Sequence, residues 1–179
     1  MEEPQKIIYT IGHSTHSLDE FIAMLKAFHI ENLADIRSLP GSRKFPWFNS
    51  EDLEVSLAEA GINYRLIKKL GGRRKFHKDS KNLRWLKEAF RSYADYMETP
   101  DFEEGIRELL EFADGKTTAY MCAEAVWWRC HRSMVSDYLK AKGWTVLHIM
   151  SLTKTEEHPY TQPAIVRDGK VYYSDDFQA

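Results

Sequence analysis

The chain has 179 residues and a formal net charge of −2, enough length for one domain that buries a core without disulfides or metal. Hydrophobic residues make up 43% and charged residues 29%, which excludes a disordered chain held open by its own charge. No apolar run reaches membrane-spanning length, and the near-neutral charge excludes a surface built as a whole to attract polyanions.

The start, MEEPQ, is acidic and does not read as a signal peptide. Two cysteines without an export signal predict a reducing cytoplasm and no disulfide framework. Ile7 to Ile11 is a short apolar run that ends in Gly12, His13 and Ser14, the pattern of a buried parallel strand and a turn. Ser17 and Glu20 stand at capping-box spacing, and Phe21, Ile22, Leu25 and Phe28 give the helix that follows its apolar face. Asn32 to Arg37 predicts a second strand with Asp35 and Arg37 at its end. Ser38 to Asn49 is broken by Pro40, Gly41 and Pro46. It nevertheless carries Phe45, Trp47 and Phe48 beside Arg43 and Lys44, so it is either pinned to the core or shaped for a ligand. Leu53 and Leu57 mark another helix, closed by Gly61, and Ile62 to Ile67 a third strand. Leu66 to Lys78 packs basic residues around Gly71 and Gly72 with no acid among them. Trp85 to Met97 and Phe102 to Phe112 predict two helices divided at Thr99–Pro100.

Thr117 to Ser133 reads as a buried strand, a short loop and the start of a helix. It holds both cysteines, Cys122 and Cys130, together with Glu124, Arg129, His131 and Arg132. Its reactive groups fall on the loop and the first helical turn, where unpaired backbone N–H groups favour an anion and a thiolate. Trp144 to Met150 is a fifth strand, and residues 163–174 form a C-terminal β-hairpin around Asp168–Gly169. The alternation predicts a single α/β domain over residues 1–179, with a mainly parallel sheet and helices on both faces. Ligands of such sheets bind at the carboxyl ends of the strands. Here those ends deliver His13–Ser14, Asp35–Arg37, the Gly–Gly segment and Cys122–Glu124 to one edge.

The succession GHS, DIRSLPGSRKFPWFN, LGGRRK and CAEAVWWRCHRS resembles the family known as domain of unknown function 488, from about Tyr9 to about Ile149. The resemblance implies a single α/β domain found in prokaryotes, and no settled reaction. The matching positions are Gly12, His13, Ser14, Asp35, Arg37, Ser42, Cys122, Glu124, Cys130, His131 and Arg132.

Each candidate has a functional and a structural reading. Cys130 is a nucleophile, its pKa lowered by Arg129, His131, Arg132 and a helix N-terminus, or a buried structural thiol. Cys122, Cys130 and His131, completed by His13 or Glu124, are the set that would ligate zinc, although the spacing is not a standard one. Glu124 and Asp35 are an acid–base pair, or each carboxylate pairs with Arg37 or Arg132. Gly12, His13 and Ser14 hold a phosphate or form a capped turn. The basic segment from Arg65 to Lys78, with Phe45, Trp47, Trp127 and Trp128, contacts nucleic acid or is a solvated face.

The leading expectation is an enzyme, a hydrolase or transferase, that binds a small phosphorylated or nucleotide-like anion. Glu124 serves as acid–base and Cys130 as nucleophile or polar support, with Cys122 beside it and His13 orienting. Gly12, Ser14, Asp35, Arg37, Ser42, Arg73, His131 and Arg132 surround the anion. No cofactor is predicted. The alternatives are a nucleic-acid-binding module that uses residues 65–78 and a structural Cys/His metal site.

Overall fold

Five apolar strand runs separated by amphipathic helices leave the chain one efficient packing, a sheet covered on both sides. The computed structural model describes residues 6–177, so the acidic start from Met1 to Gln5 lies outside the described residues. The strands are β1 (Ile7–Gly12), β2 (Asn32–Asp35), β3 (Asn63–Leu66), β4 (Thr118–Cys122), β5 (Thr145–Ile149) and β6 (Thr155–Glu157), in the sheet order β3-β2-β4-β1-β5-β6. The first five run parallel, and β6 adds an antiparallel edge. A separate hairpin pairs β7 (Ile165–Arg167) with β8 (Lys170–Tyr172). It turns at Asp168 and Gly169, both at positive φ, as an Asp–Gly hairpin requires.

Strand alternation divides the core into two halves. Ile11, Leu33, Ala119 and Met121 face α1 (Leu18–Ala27) and α2 (Ser50–Glu59), meeting Phe21, Leu25, Leu53 and Leu57. Ile8, Ala34, Tyr120 and Val146 face α3 (Glu88–Tyr96), α4 (Pro100–Ala113) and α5 (Arg132–Ala141). Ser17 caps α1 by accepting the Glu20 N–H at 3.1 Å, while the Glu20 carboxylate turns to His16 instead of closing the box. Thr99 caps α4, with Pro100 in its first turn.

One helix starts later than expected, and one strand was not expected. The helix expected from Trp85 begins at Glu88, because Trp85 packs on Phe90 and Tyr173 and its carbonyl accepts from Arg91 Nε. The edge strand β6, sequence TEE, carries no apolar pattern and is defined only by its ladder to Leu147, His148 and Ile149. The chain runs from β1 outward to β3 and returns to place β4 between β2 and β1. The carboxyl ends of β1, β2 and β4 are therefore neighbours.

Candidate functional site

A cleft with two lobes opens at those strand ends. One lobe, about 300 Å³, is lined by Arg73, Arg129, Cys122, Cys130 and His131 among others. The second, about 380 Å³, is lined by His13, Ser14, Ser42 and Phe45 among others. Arg37, Leu39, Ala123 and Glu124 border both. Three of the sequence-derived candidates, Gly12, Asp35 and Arg132, line neither lobe and act from behind the wall. A further hollow of about 250 Å³, under the hairpin between Met97, Tyr138 and Tyr172, is lined by no thiol or imidazole.

The wall is assembled by close backbone approaches. The loop after β4 crosses the end of β1, where His13 N–H donates to the Cys122 carbonyl and Ser14 N–H to the Ala123 carbonyl, at 3.0 and 2.9 Å. Gly12 permits the crossing, since a Cβ there would stand 1.7 Å from the Glu124 carbonyl oxygen. Gly72 lies flat against His131, where a Cβ would meet Nδ1 at 2.5 Å. The Gly–Gly segment thus serves as a lid over the imidazole, and Arg73 is fixed beside it by its N–H to Ser38 Oγ.

Cys130 sits just before α5, and its sulfur accepts the backbone N–H of Arg132, the first helical residue, at 3.5 Å. His131 Nε2 lies 2.8 Å from the Ile36 carbonyl, which can only accept. Nε2 therefore carries the ring proton, and the bare Nδ1 faces Cys130 Sγ at 3.3 Å. Burial holds His131 below the ordinary imidazole value, so it is a neutral proton acceptor. For Cys130, burial pushes the thiol up. Contact with Cys122, the Arg132 guanidinium and the Arg132 N–H more than offset it, leaving the thiol below its ordinary value. Burial drives Cys122 well up, so it stays protonated.

Arg132 is 1% exposed. Its Nη1 donates to Thr10 Oγ1 and its Nη2 to the Glu124 carbonyl, while Nε has no partner among the described residues. Among the described residues no carboxylate lies within 4.0 Å of it. The Arg132–carboxylate pair offered as an alternative is thus absent among the described residues. Asp35, by contrast, is fully engaged: its carboxylate accepts from Arg37 Nε and Nη2 and from Tyr64 O–H. This pair raises the Arg37 pKa against the opposing effect of burial, and the neighbouring anion together with burial raises that of Tyr64. Arg37 reaches the cleft with Nη1, 3.4 Å from His13 Nε2. Ser42 Oγ caps the turn into Phe45. Glu124, Arg73 and Arg129 are exposed, and none forms an ion pair among the described residues.

Sequence reasoning missed Thr10, Asp137, His148 and His158, a buried polar chain behind Arg132. The available signal was parity: Thr10 and His148 occupy strand positions on the same face as Ile8 and Val146. Three of the seven lysines and arginines from Arg65 to Lys78 are engaged within the chain. Arg65 covers Phe112, Arg74 lies 3.6 Å over the Tyr96 ring, and Lys69 pairs with Glu104. The tryptophan doublet splits, Trp127 buried against His148 and Trp128 50% exposed. Among the described residues no three His, Cys, Asp or Glu side chains are disposed to share a metal ion, and no helix is long and apolar enough to cross a membrane.

No curated protein and no solved structure matches the chain. The model of one protein family, Domain of unknown function DUF488, matches residues 17–139, which include β2 to β4, the loop carrying Glu124 and most of α5. With well over half of its length matched, the chain belongs to the DUF488 family.

Proposed function

We propose that the protein is a thiol-dependent enzyme, a hydrolase or group transferase, acting on a small anionic substrate of the phosphorylated or nucleotide-like kind. The observation that carries this reading is Arg132: a guanidinium buried without a carboxylate beside it, set against a cysteine whose sulfur accepts an N–H at a helix N-terminus. An uncompensated buried charge is costly, and a thiolate at Cys130 relieves it. His131 Nδ1 takes the thiol proton beforehand, the Cys130 thiolate sulfur attacks the electrophilic centre of the substrate, and the bond to the leaving group breaks. Glu124, exposed on the rim shared by both lobes, protonates the leaving group and then draws the proton from the water or acceptor that releases the covalent adduct. Arg37, Arg73 and Arg129 hold the anion, and His13 orients Arg37. The internal engagement of Arg65, Lys69 and Arg74 leaves the nucleic-acid reading without comparable support.

The test is the rate of iodoacetamide alkylation at Cys130 against pH, with the modified site mapped by mass spectrometry. The expected midpoint lies below the value of about 8.5 for an ordinary cysteine, and inorganic phosphate or a nucleoside monophosphate shields the thiol. A midpoint at or above that value, with no shielding, overturns the proposal. Glu124→Gln is expected to leave unfolding unchanged, because the side chain is exposed and unpaired, and to abolish turnover.

A further inference from the structure

Behind the cleft lies a polar cluster that the proposed chemistry does not use. Thr10, Asp137, His148 and His158 are each 0% exposed. They come from β1, α5, β5 and the residue after β6. Groups of this kind are costly to bury unless paired, and here the pairing runs in a line. Arg132 Nη1 donates to Thr10 Oγ1 at 2.8 Å, and the Thr10 hydroxyl meets His148 Nδ1. His148 Nε2 is 2.9 Å from His158 Nδ1, and His158 Nε2 is 2.8 Å from Asp137 Oδ1.

The two ends fix the direction. A guanidinium only donates and a carboxylate only accepts. Thr10 Oγ1 accepts from Arg132 and has one proton to give, which goes to His148 Nδ1. His148 then carries its ring proton on Nε2 and donates it to His158 Nδ1. His158 in turn donates from Nε2 to Asp137. Run the other way, the chain would strand the Thr10 proton in a dry interior. Burial, reinforced by the neighbouring His158 and Arg132, pulls His148 down to about 2, which keeps that ring neutral. Trp127 stacks on His148 at 4.9 Å and 7°, and the hydroxyls of Thr161 and Tyr173 fill the second oxygen of Asp137.

We propose that Asp137, His158, His148 and Thr10 form a positioning relay, a one-way hydrogen-bond chain that supplies the remote counter-charge of Arg132 and holds its guanidinium against the Cys130 loop. The geometry stands by itself; its consequence for reactivity rests on Cys130 being the nucleophile. Arg132 grips the Glu124 carbonyl with Nη2, so a guanidinium that drifts loosens the loop beside Cys130 and carries its charge away from the sulfur. Asp137 lies within the family match, whereas Thr10, His148, His158 and the Thr161 and Tyr173 hydroxyls that hold Asp137 lie outside it.

The groups that face Cys130 are Tyr93 from α3, Cys122 from β4, Glu124 from the loop, and His131 and Arg132 at the start of α5. A variant that leaves these in place and shifts Cys130 therefore acts through the relay. Imidazole nitrogen NMR on the wild-type protein at about pH 7 is expected to show the ring proton on Nε2 and a bare Nδ1 at both His148 and His158. Thr10→Val keeps the side-chain shape and removes the hydroxyl. It is expected to raise the alkylation midpoint of Cys130 by about one pH unit, or about tenfold in rate near neutrality, and Thr10→Ser to restore it. Asp137→Asn is expected to scramble the two tautomers and move the midpoint the same way. A wild-type Nδ1–H tautomer or imidazolium at either ring overturns the relay whatever the variants do. A low wild-type midpoint that a folded Thr10→Val protein leaves unmoved also overturns it, while the thiol reading survives. The stated tautomers with an ordinary wild-type midpoint uphold the hydrogen-bond chain and sink the thiol reading instead.

Discussion

Acidification weakens this fold by an amount that can be worked out in advance, and His13 is the group to follow. Its ring is 5% exposed and stacks on Phe48 with 4.3 Å between centroids. Nδ1–H donates to the Ser14 carbonyl, and the Arg37 guanidinium faces Nε2. Burial, reinforced by the Arg37 charge, lowers His13 from 6.5 to about 4. Between those values the unfolded chain binds a proton that the folded chain refuses. The stability His13 contributes is therefore complete above its unfolded value and lost as pH falls toward about 4. Taking the solution from about pH 7 to about pH 5 costs about 2 kcal/mol on this account. His148, lowered to about 2 by burial, adds a loss of the same sign. Urea unfolding followed by tryptophan fluorescence at both pH values measures the sum, and His13→Gln isolates one share. The variant is expected to lose about 2 kcal/mol less than the wild type over that interval. Equal losses in the two proteins would show that the His13 ring is not held neutral by its surroundings, and the argument would fail.

Two further outcomes follow from the cleft wall. Asp35→Ala strands the buried Arg37 guanidinium and is expected to destabilise the fold by about 3–5 kcal/mol in urea titrations; a loss under about 1 kcal/mol would mean that water reaches and solvates Arg37. Gly72→Ala drives a methyl group into the His131 ring, 2.5 Å from Nδ1. It is expected to cost about 1–3 kcal/mol and to slow alkylation of Cys130, because the imidazole must leave either the thiol or the Ile36 carbonyl; wild-type stability together with wild-type alkylation would refute the packing described.

Where the chain declares its structure, it does so through runs that only one environment suits. The β1 and β4 segments are apolar but for Thr10 and Thr118, as suits strands covered on both faces. Gly12, Gly71 and Gly72 marked the points where backbone and side chains approach too closely for a Cβ, and all three sit at the cleft wall. The edge strand β6 was not legible because its sequence TEE gains strand character only from a neighbour. The relay was invisible for a different reason. Thr10 and His148 are 138 residues apart, and no local pattern ties a polar residue in one strand to its partner in another.

Arg132 shows how a local cue can mislead while the same stretch holds the remedy. Its place at the start of a helix, beside a cysteine, suggested a cation turned toward substrate. Yet Arg132, Val135, Ser136 and Leu139 recur at intervals of three and four, and all four are buried on the face of α5 that meets the sheet. Helical periodicity therefore places the guanidinium inside, where its charge acts on the protein's own sulfur and on the carbonyl that holds Glu124. The exposed guanidinium groups of Arg73 and Arg129 remain on the cleft surface, where the proposed function has them meet an incoming anion. The division follows from dielectric environment: a charge in the dry interior shifts a neighbouring pKa strongly, whereas one in water mainly attracts and orients. Under the proposed function, a cleft that separates these two tasks between different arginines tunes its thiol without weakening its hold on the anion.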